Sequence, residues 1–144
     1  MTATSPTEPV PARIGPTVAD AARAVGLASL LGVAGAMHFA NPRFFDAIVP
    51  TWMPGSARTT TYVSGAVELT AAALVAIPRT RRIGGWFAAV TFAGVFPANV
   101  WAAVQGGMKE LDKPFDSALV AWIRLPFQFP LIWWATRVAR AAHR

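Results

Sequence analysis

The hydrophobic residues of this chain fall into four long apolar segments, separated by shorter stretches rich in proline, glycine or charged residues. A helix needs about 20 mostly apolar residues to cross a bilayer, and each segment approaches that length. The pattern therefore predicts an all-α fold, a four-helix transmembrane bundle. The predicted spans are residues 21–40, 60–77, 83–104 and 118–136.

The stretches outside the spans differ in character. Residues 1–19 are rich in proline, threonine and alanine without periodicity, which predicts a disordered cytoplasmic leader. The membrane domain is predicted over residues 20–138, followed by a basic cytoplasmic tail over residues 139–144. Residues 41–58 contain helix-breaking prolines yet stay strongly apolar. We expect this loop to lie along the membrane interface or to fold back over the helices.

The first span contains small residues spaced by four, at Ala28, Gly32 and Ala36. This spacing lets two membrane helices approach closely, so it predicts a helix-packing face. Gly84-Gly85 in the third span is interpreted as a second helix-packing pair. A cleaved signal peptide is the alternative for the first span, but the long leader with acidic residues is a poor match to a basic n-region.

Composition supports a membrane protein and excludes several other classes. The chain is 54% hydrophobic and 14% charged, with a mean hydropathy of +0.42. Soluble domains carry roughly 25% charged residues. The absence of cysteine excludes disulfides, thiolate metal sites and iron–sulfur ligation. The net charge of +6 has no basic face with it, so we expect no nucleic-acid partner.

The basic residues instead flank the predicted spans and indicate an orientation. With both termini on one side, that side holds eight of the Lys and Arg residues and the other side four. Positive residues concentrate on the cytoplasmic side of membrane proteins. We therefore expect both termini in the cytoplasm.

Two charged residues lie well inside predicted spans, away from the span ends, Glu68 in the second and Arg124 in the fourth. Such residues are costly in a bilayer and point to a functional site. We expect them to form an ion pair, because each charge alone in lipid is more costly than the pair. Further polar residues lie in the same half of the membrane. The predicted ligand pocket is formed by His38, Glu68, Asn99, Arg124 and Gln128.

Four other residues are expected to support this pocket. Pro97 and Pro126 interrupt helical hydrogen bonding and free carbonyl groups next to Asn99 and Arg124. Ser64 shares the helix face of Glu68, and Tyr62 supplies a hydroxyl at the interface.

Two other interpretations of the polar cluster stay open, a purely structural clamp between helices and a proton or ion path. No metal site is expected, because the second histidine, His143, lies in the tail. No phosphate-binding loop, nucleophile elbow or dinucleotide fingerprint is present.

Several short segments in order resemble the DoxX-like family of small bacterial membrane proteins, over about residues 25–136. They are His38-Phe39-Ala40-Asn41-Pro42, Ser64-Gly65-x-x-Glu68, Phe96-Pro97-Ala98-Asn99 and Arg124-Leu125-Pro126-Phe127-Gln128. The resemblance implies a four-helix protein of the bacterial inner membrane with a link to redox physiology. Relatives include subunits associated with quinone-linked thiosulfate oxidation and with oxidative-stress enzymes. Cysteine chemistry cannot be carried over to a chain that has no cysteine.

The resulting expectation is a noncatalytic accessory or scaffold subunit of a membrane redox assembly, without an intrinsic cofactor. Its pocket would bind the head group of a quinone or a lipid. The alternatives are a quinone-linked oxidoreductase subunit and a small transporter. The first lacks a haem, iron–sulfur or flavin motif, and the second lacks visibly repeated halves. The oligomeric state stays open.

Overall fold

The computed structural model describes residues 17–108 and 111–142 of the chain. These residues form five helices and no strand, so the all-α prediction is confirmed for this part of the protein. The helices are α1 (Val18–Ala40), α2 (Pro42–Asp46), α3 (Ala57–Ala76), α4 (Arg81–Val104) and α5 (Ala118–Ala141).

Each predicted span coincides with one long helix, and the differences are at the ends. α1 begins at Val18, inside the predicted leader, because Thr17 and Asp20 form a capping box that satisfies the first backbone amides. α5 continues to Ala141, into the predicted tail. The rest of the predicted leader and the last two residues of the tail lie outside the described residues.

The short helix α2 was not predicted. It begins directly after Asn41 with Pro42 at its first position, where the fixed φ of proline favours a helix and its missing N–H has no cost. The Asn-Pro pair, interpreted only as the end of the first span, is therefore also the start of a second helix. α2 packs against α1 and α3.

Three of the helices, α1, α4 and α5, are long and apolar enough to cross a membrane. α3 is long but less apolar, since it contains Arg58, Glu68 and several hydroxyl residues. By length and composition, the chain therefore has three candidate membrane-spanning helices.

The helices bury small residues and expose large apolar ones. Six of the eleven residues in the main buried cluster are alanines, contributed by α1, α3, α4 and α5. Large side chains point outward on every long helix, and Val33, Val90 and Phe127 are 65%, 68% and 64% exposed. Lipid solvates such residues well, whereas helix contacts in a membrane depend on close packing of small residues.

Glycines lie at close contacts between helices. A Cβ added at Gly65 of α3 would lie 2.6 Å from the Cβ of His38, and one at Gly35 of α1 would lie 3.0 Å from the Gly65 carbonyl oxygen. The prediction that Ala28, Gly32 and Ala36 form the packing face is confirmed for Ala28, which packs against the main buried cluster, and for Gly32, where an added Cβ would lie 3.9 Å from Ala72; it is wrong for Ala36, which is exposed, and it missed the closer approach at Gly35.

The interpretation of Gly84-Gly85 as a packing pair is confirmed. An added Cβ at Gly84 would lie 2.5 Å from the backbone of Leu74, and one at Gly85 would lie 2.7 Å from the backbone of Ala139. These contacts hold the start of α4 against the end of α3 and the end of α5.

Candidate functional site

A cavity of about 190 Å³ lies between the long helices, and each of them contributes to its wall. We call it the Glu68 cavity. Four of the five residues predicted for the ligand pocket line it. Its polar lining includes His38 of α1, Ser64 and Glu68 of α3, Asn99 of α4 and Arg124 of α5.

The glycine contact between α1 and α3 positions His38 and Glu68. His38 follows Gly35 by three residues, and Glu68 follows Gly65 by three residues. Each side chain therefore lies about one turn from the close-packed glycine of its own helix and on the same helix face. The distance from His38 Nδ1 to Glu68 Oε2 is 3.6 Å. Both side chains are about nine-tenths buried, with exposures of 7% and 10%.

Glu68 has an unsatisfied carboxyl oxygen. Oε2 is buried and has no hydrogen-bond partner among the described residues. His38 Nδ1 lies beyond hydrogen-bond distance and instead donates to the backbone oxygen of Ala34 at 2.9 Å. The acceptor on Glu68 is therefore open to a donor that enters the cavity.

The predicted ion pair between Glu68 and Arg124 is wrong. Within residues 17–108 and 111–142, no carboxylate lies within 4.0 Å of the guanidinium of Arg124. That group donates to Met108 Sδ at 3.7 Å and lies 5.9 Å from the ring centroid of Phe44. The physical reason is helix arrangement: α3 packs on α1 and α4, whereas α5 packs mainly on α4, so the cavity separates the two charges.

Aromatic residues of α2 cover polar groups of the cavity, His38 and Arg124. This cover was not predicted from the sequence. The ring of Phe45 stacks on the imidazole of His38 with centroids 3.6 Å apart, and Phe44 lies against Arg124. Two adjacent phenylalanines after an Asn-Pro helix start are the sequence signal for this cover.

Asp46, the last residue of α2, fastens this helix to α3. Its carboxylate accepts a hydrogen bond from Thr61 Oγ1 at 2.6 Å and forms a salt bridge with Arg58 at 2.8 Å. Burial alone would raise the pKa of Asp46, but the hydrogen bonds and the charge of Arg58 outweigh it and lower the pKa below its ordinary value of 3.8. Thr61 is 1% exposed, so this contact is part of the interior.

Gln128, the fifth predicted pocket residue, does not line the Glu68 cavity. It is buried, and its Nε2 donates to the backbone oxygen of Phe92 in α4. This bond joins α4 to α5, which is the clamp role that amides commonly have between membrane helices. Asn99 lines the cavity while its Nδ2 donates to the Val95 oxygen at 3.3 Å.

Of the four residues predicted to support the pocket, one lines the Glu68 cavity and three do not. Ser64 lines the cavity, whereas Pro97 and Pro126 lie inside α4 and α5 and are not part of the wall. Tyr62 is 39% exposed and stacks on Phe39 at 5.3 Å, outside the cavity.

A second cavity of about 540 Å³ lies between the loop after α2 and the end of α4. Val49, Pro50 and Met53 line both cavities, so this part of the loop forms a shared wall. The loop is thus folded over the helices, one of the two placements expected for residues 41–58.

The wall of the Glu68 cavity combines a few polar groups with apolar residues. Within the described segments, no three His, Asp or Glu side chains come together as metal ligands would. The wall instead combines an open carboxyl acceptor, a guanidinium donor and an amide with apolar residues such as Phe45 and Ile48. An apolar pocket with a few convergent polar groups is the usual candidate for a binding site.

Comparison with known proteins gives a family and no function. No curated protein and no solved structure matches the chain. A family model described as a domain of unknown function, DUF8561, matches residues 27–139, which cover α1 from Leu27 onward, all of α3 and α4, α5 as far as Ala139, and every residue of the Glu68 cavity. The chain therefore belongs to the DUF8561 family.

Proposed function

We propose that this protein is an integral membrane protein with four spans that binds the polar end of a lipid-soluble molecule, a quinone or a lipid head group, in the Glu68 cavity. The observation that carries the proposal is the buried Oε2 of Glu68, which has no hydrogen-bond partner among the described residues.

An unsatisfied buried acceptor argues for a ligand rather than for a structural clamp. Leaving such a group without a partner costs about 1–3 kcal/mol, so a residue kept only for stability is expected to have its hydrogen bonds made within the protein. Gln128 shows that pattern, since its amide bonds to the Phe92 oxygen. Glu68 lacks it, and a bound molecule supplies the missing donor.

The arrangement of the polar groups defines what the ligand presents. It donates a hydrogen bond to Glu68 and offers an oxygen acceptor to Arg124, the two groups that line the cavity without pairing to each other. The hydroxyl groups of a quinol, the reduced form of a quinone, donate to Glu68 and accept from Arg124, and so do the polar groups of a lipid head that carries an O–H or N–H group; the carbonyl groups of an oxidised quinone only accept, from Arg124. The volume of about 190 Å³ is below the roughly 300–1,000 Å³ of pockets that enclose a whole drug-sized ligand. The cavity is therefore sized for a head group, with the apolar tail outside it.

In addition to α1, α4 and α5, we assign α3 as a membrane span. Its most polar buried residues, Thr61 and Glu68, are 1% and 8% exposed, while Val63 on its outer surface is 57% exposed. A helix with polar residues turned inward and apolar residues turned outward is suited to lipid. We place the protein in the bacterial inner membrane with both termini in the cytoplasm, on the basis of the arginine distribution.

The proposed role is that of a noncatalytic accessory or scaffold subunit in a membrane redox assembly. This part of the proposal is supported by the resemblance to DoxX-like proteins in the segments around His38, Glu68, Asn99 and Arg124.

The experiment is extraction of bound small molecules from protein purified in mild detergent, followed by mass spectrometry. The wild-type protein is compared with Glu68→Met, which removes the open acceptor, and with Thr70→Val, which removes a hydroxyl bonded within α3 to Ala66. We expect one quinone or lipid species in the wild type and in Thr70→Val, and its loss from Glu68→Met. A ligand-free wild type, or equal retention by Glu68→Met, contradicts the proposal.

A further inference from the structure

A second charged feature lies where α1 begins and α5 ends, away from the Glu68 cavity. A recess of about 350 Å³ is lined by Asp20, Arg23, Arg137, Arg140 and Ala141. We call it the arginine recess. Trp134 Nε1 donates to the Arg23 backbone oxygen at 3.1 Å and holds the two helix ends together beside it.

The charge of the arginine recess is not balanced within the described chain. Its one carboxylate, Asp20, is occupied by Arg23 at 2.9 Å and by the Thr17 hydroxyl at 2.8 Å. Among residues 17–108 and 111–142, no carboxylate lies within 4.0 Å of Arg137 or Arg140. Two guanidinium groups therefore face the recess without an anionic partner there.

Aromatic rings orient both guanidinium groups. Arg137 lies over the ring of Trp133 at 5.2 Å, and Arg140 lies over the ring of Trp86 at 6.0 Å. Stacking uses the face of a guanidinium and leaves its N–H groups at the edge free to donate. Arginines presented in this way recognise phosphate oxygens by paired hydrogen bonds.

The helix dipoles do not determine whether the arginine recess prefers an anion or a cation. The start of α1 carries a partial positive charge and the end of α5 a partial negative charge, and the two ends meet at the same recess. Their effects oppose each other, so the arginine charges determine the sign of the ligand.

The surface next to the recess is apolar. Phe129 and Trp133 precede Arg137 at four-residue spacing on one face of α5, and they are 63% and 62% exposed. This face changes from exposed aromatic residues to exposed arginines toward the end of a helix that is apolar enough to cross a membrane. An amphipathic anion matches both parts, with acyl chains along the aromatic residues and a phosphate at the arginines.

We infer that the arginine recess binds the head group of an anionic phospholipid. The inference depends on membrane embedding and not on the ligand of the Glu68 cavity, because the two sites share no residue.

The test is native mass spectrometry of the full chain in detergent micelles, titrated with phosphatidylglycerol or with phosphatidylcholine of the same acyl chains. We expect phosphatidylglycerol to bind at least about tenfold more tightly. The double variant Arg137→Gln with Arg140→Gln should lose about 30-fold in affinity for it, equivalent to about 2 kcal/mol. Both positions are exposed, so the variants should keep wild-type helicity by circular dichroism.

The matched control is Arg79→Gln with Arg82→Gln, which removes the same charge from the turn after α3 and from the first turn of α4. It should keep wild-type affinity, and so should Glu68→Met. If this control loses as much affinity for phosphatidylglycerol as the Arg137 and Arg140 double variant, binding is due to a diffuse positive surface and the proposed site is wrong. Equal binding of the two lipids, or displacement of phosphatidylglycerol by excess inorganic phosphate, would overturn the assignment to an anionic lipid.

Discussion

Replacing Glu68 by methionine should stabilise the ligand-free protein. Methionine has nearly the shape of glutamate without its polar oxygens, so the substitution removes the buried Oε2 that has no partner and opens no large cavity. The gain expected from removing an unsatisfied buried acceptor is about 1–3 kcal/mol. This corresponds to about a 5- to 150-fold increase in the ratio of folded to unfolded protein.

The assay is equilibrium unfolding in mixed micelles, after detergent exchange has removed bound molecules. Gln128→Met is the matched control, because it also replaces a buried polar residue by methionine but breaks a bond that is made, to the Phe92 oxygen. This control should lower the free energy of unfolding by about 1–3 kcal/mol. If Glu68→Met is destabilised to a similar extent, Glu68 has a structural partner and the cavity is a clamp.

Three further predictions concern contacts that hold the helices around the Glu68 cavity. Thr61→Val should lower the free energy of unfolding by about 1.5–3 kcal/mol, because it removes a 2.6 Å hydrogen bond to the Asp46 carboxylate. The same micelle assay measures this change, and a change below about 0.5 kcal/mol would contradict the role of Asp46 in fastening α2 to α3. The folded-state pKa of Asp46 lies below its ordinary value of 3.8. The ionised carboxylate therefore stabilises the folded protein above about pH 4, and this stabilisation is lost as the pH falls through the folded-state pKa. Asp46→Asn should flatten the acid end of a plot of unfolding free energy against pH, and an unchanged plot would refute this. Gly65→Ala should cost about 1–3 kcal/mol and reduce ligand retention, because its Cβ would lie 2.6 Å from an atom of α1; wild-type stability and retention would show that the close approach is not required.

The positions of the helices follow from hydropathy, because an apolar segment of about 20 residues has few alternatives to a helix in lipid. The cap formed by Thr17 with Asp20 lengthens α1 beyond the apolar segment. Capping depends on local hydrogen bonds rather than on hydropathy, which is why the boundary was missed by a few residues.

The clustering of His38, Glu68, Asn99 and Arg124 is also readable from the sequence. Polar groups at similar depth on separate helices avoid lipid by facing a common interior. The pairing of these groups is not readable in the same way, because depth and helix face do not say which helices are neighbours. Glu68 and Arg124 were assumed to pair because their charges are opposite, but they lie on helices that each pack mainly on other helices.

Gln128 and Asp46 show two other limits of the pattern. Gln128 shares a helix face with Arg124, yet its amide reaches the Phe92 oxygen and leaves the cavity. Asp46 was treated as part of an apolar loop, although it fastens α2 to Thr61 and Arg58 of the next helix. These contacts join residues that are 12 to 36 positions apart in the chain, a separation that local periodicity does not encode.

The most direct test of the central claim is an experimental structure of the protein purified from its own membrane without delipidation. We expect density in the cavity between Glu68 and Arg124 that continues as an apolar tail outside it. One of its polar atoms should lie about 2.7–3.2 Å from Glu68 Oε2. An empty cavity, or a Glu68 carboxyl hydrogen-bonded to another residue of the chain, would contradict the claim.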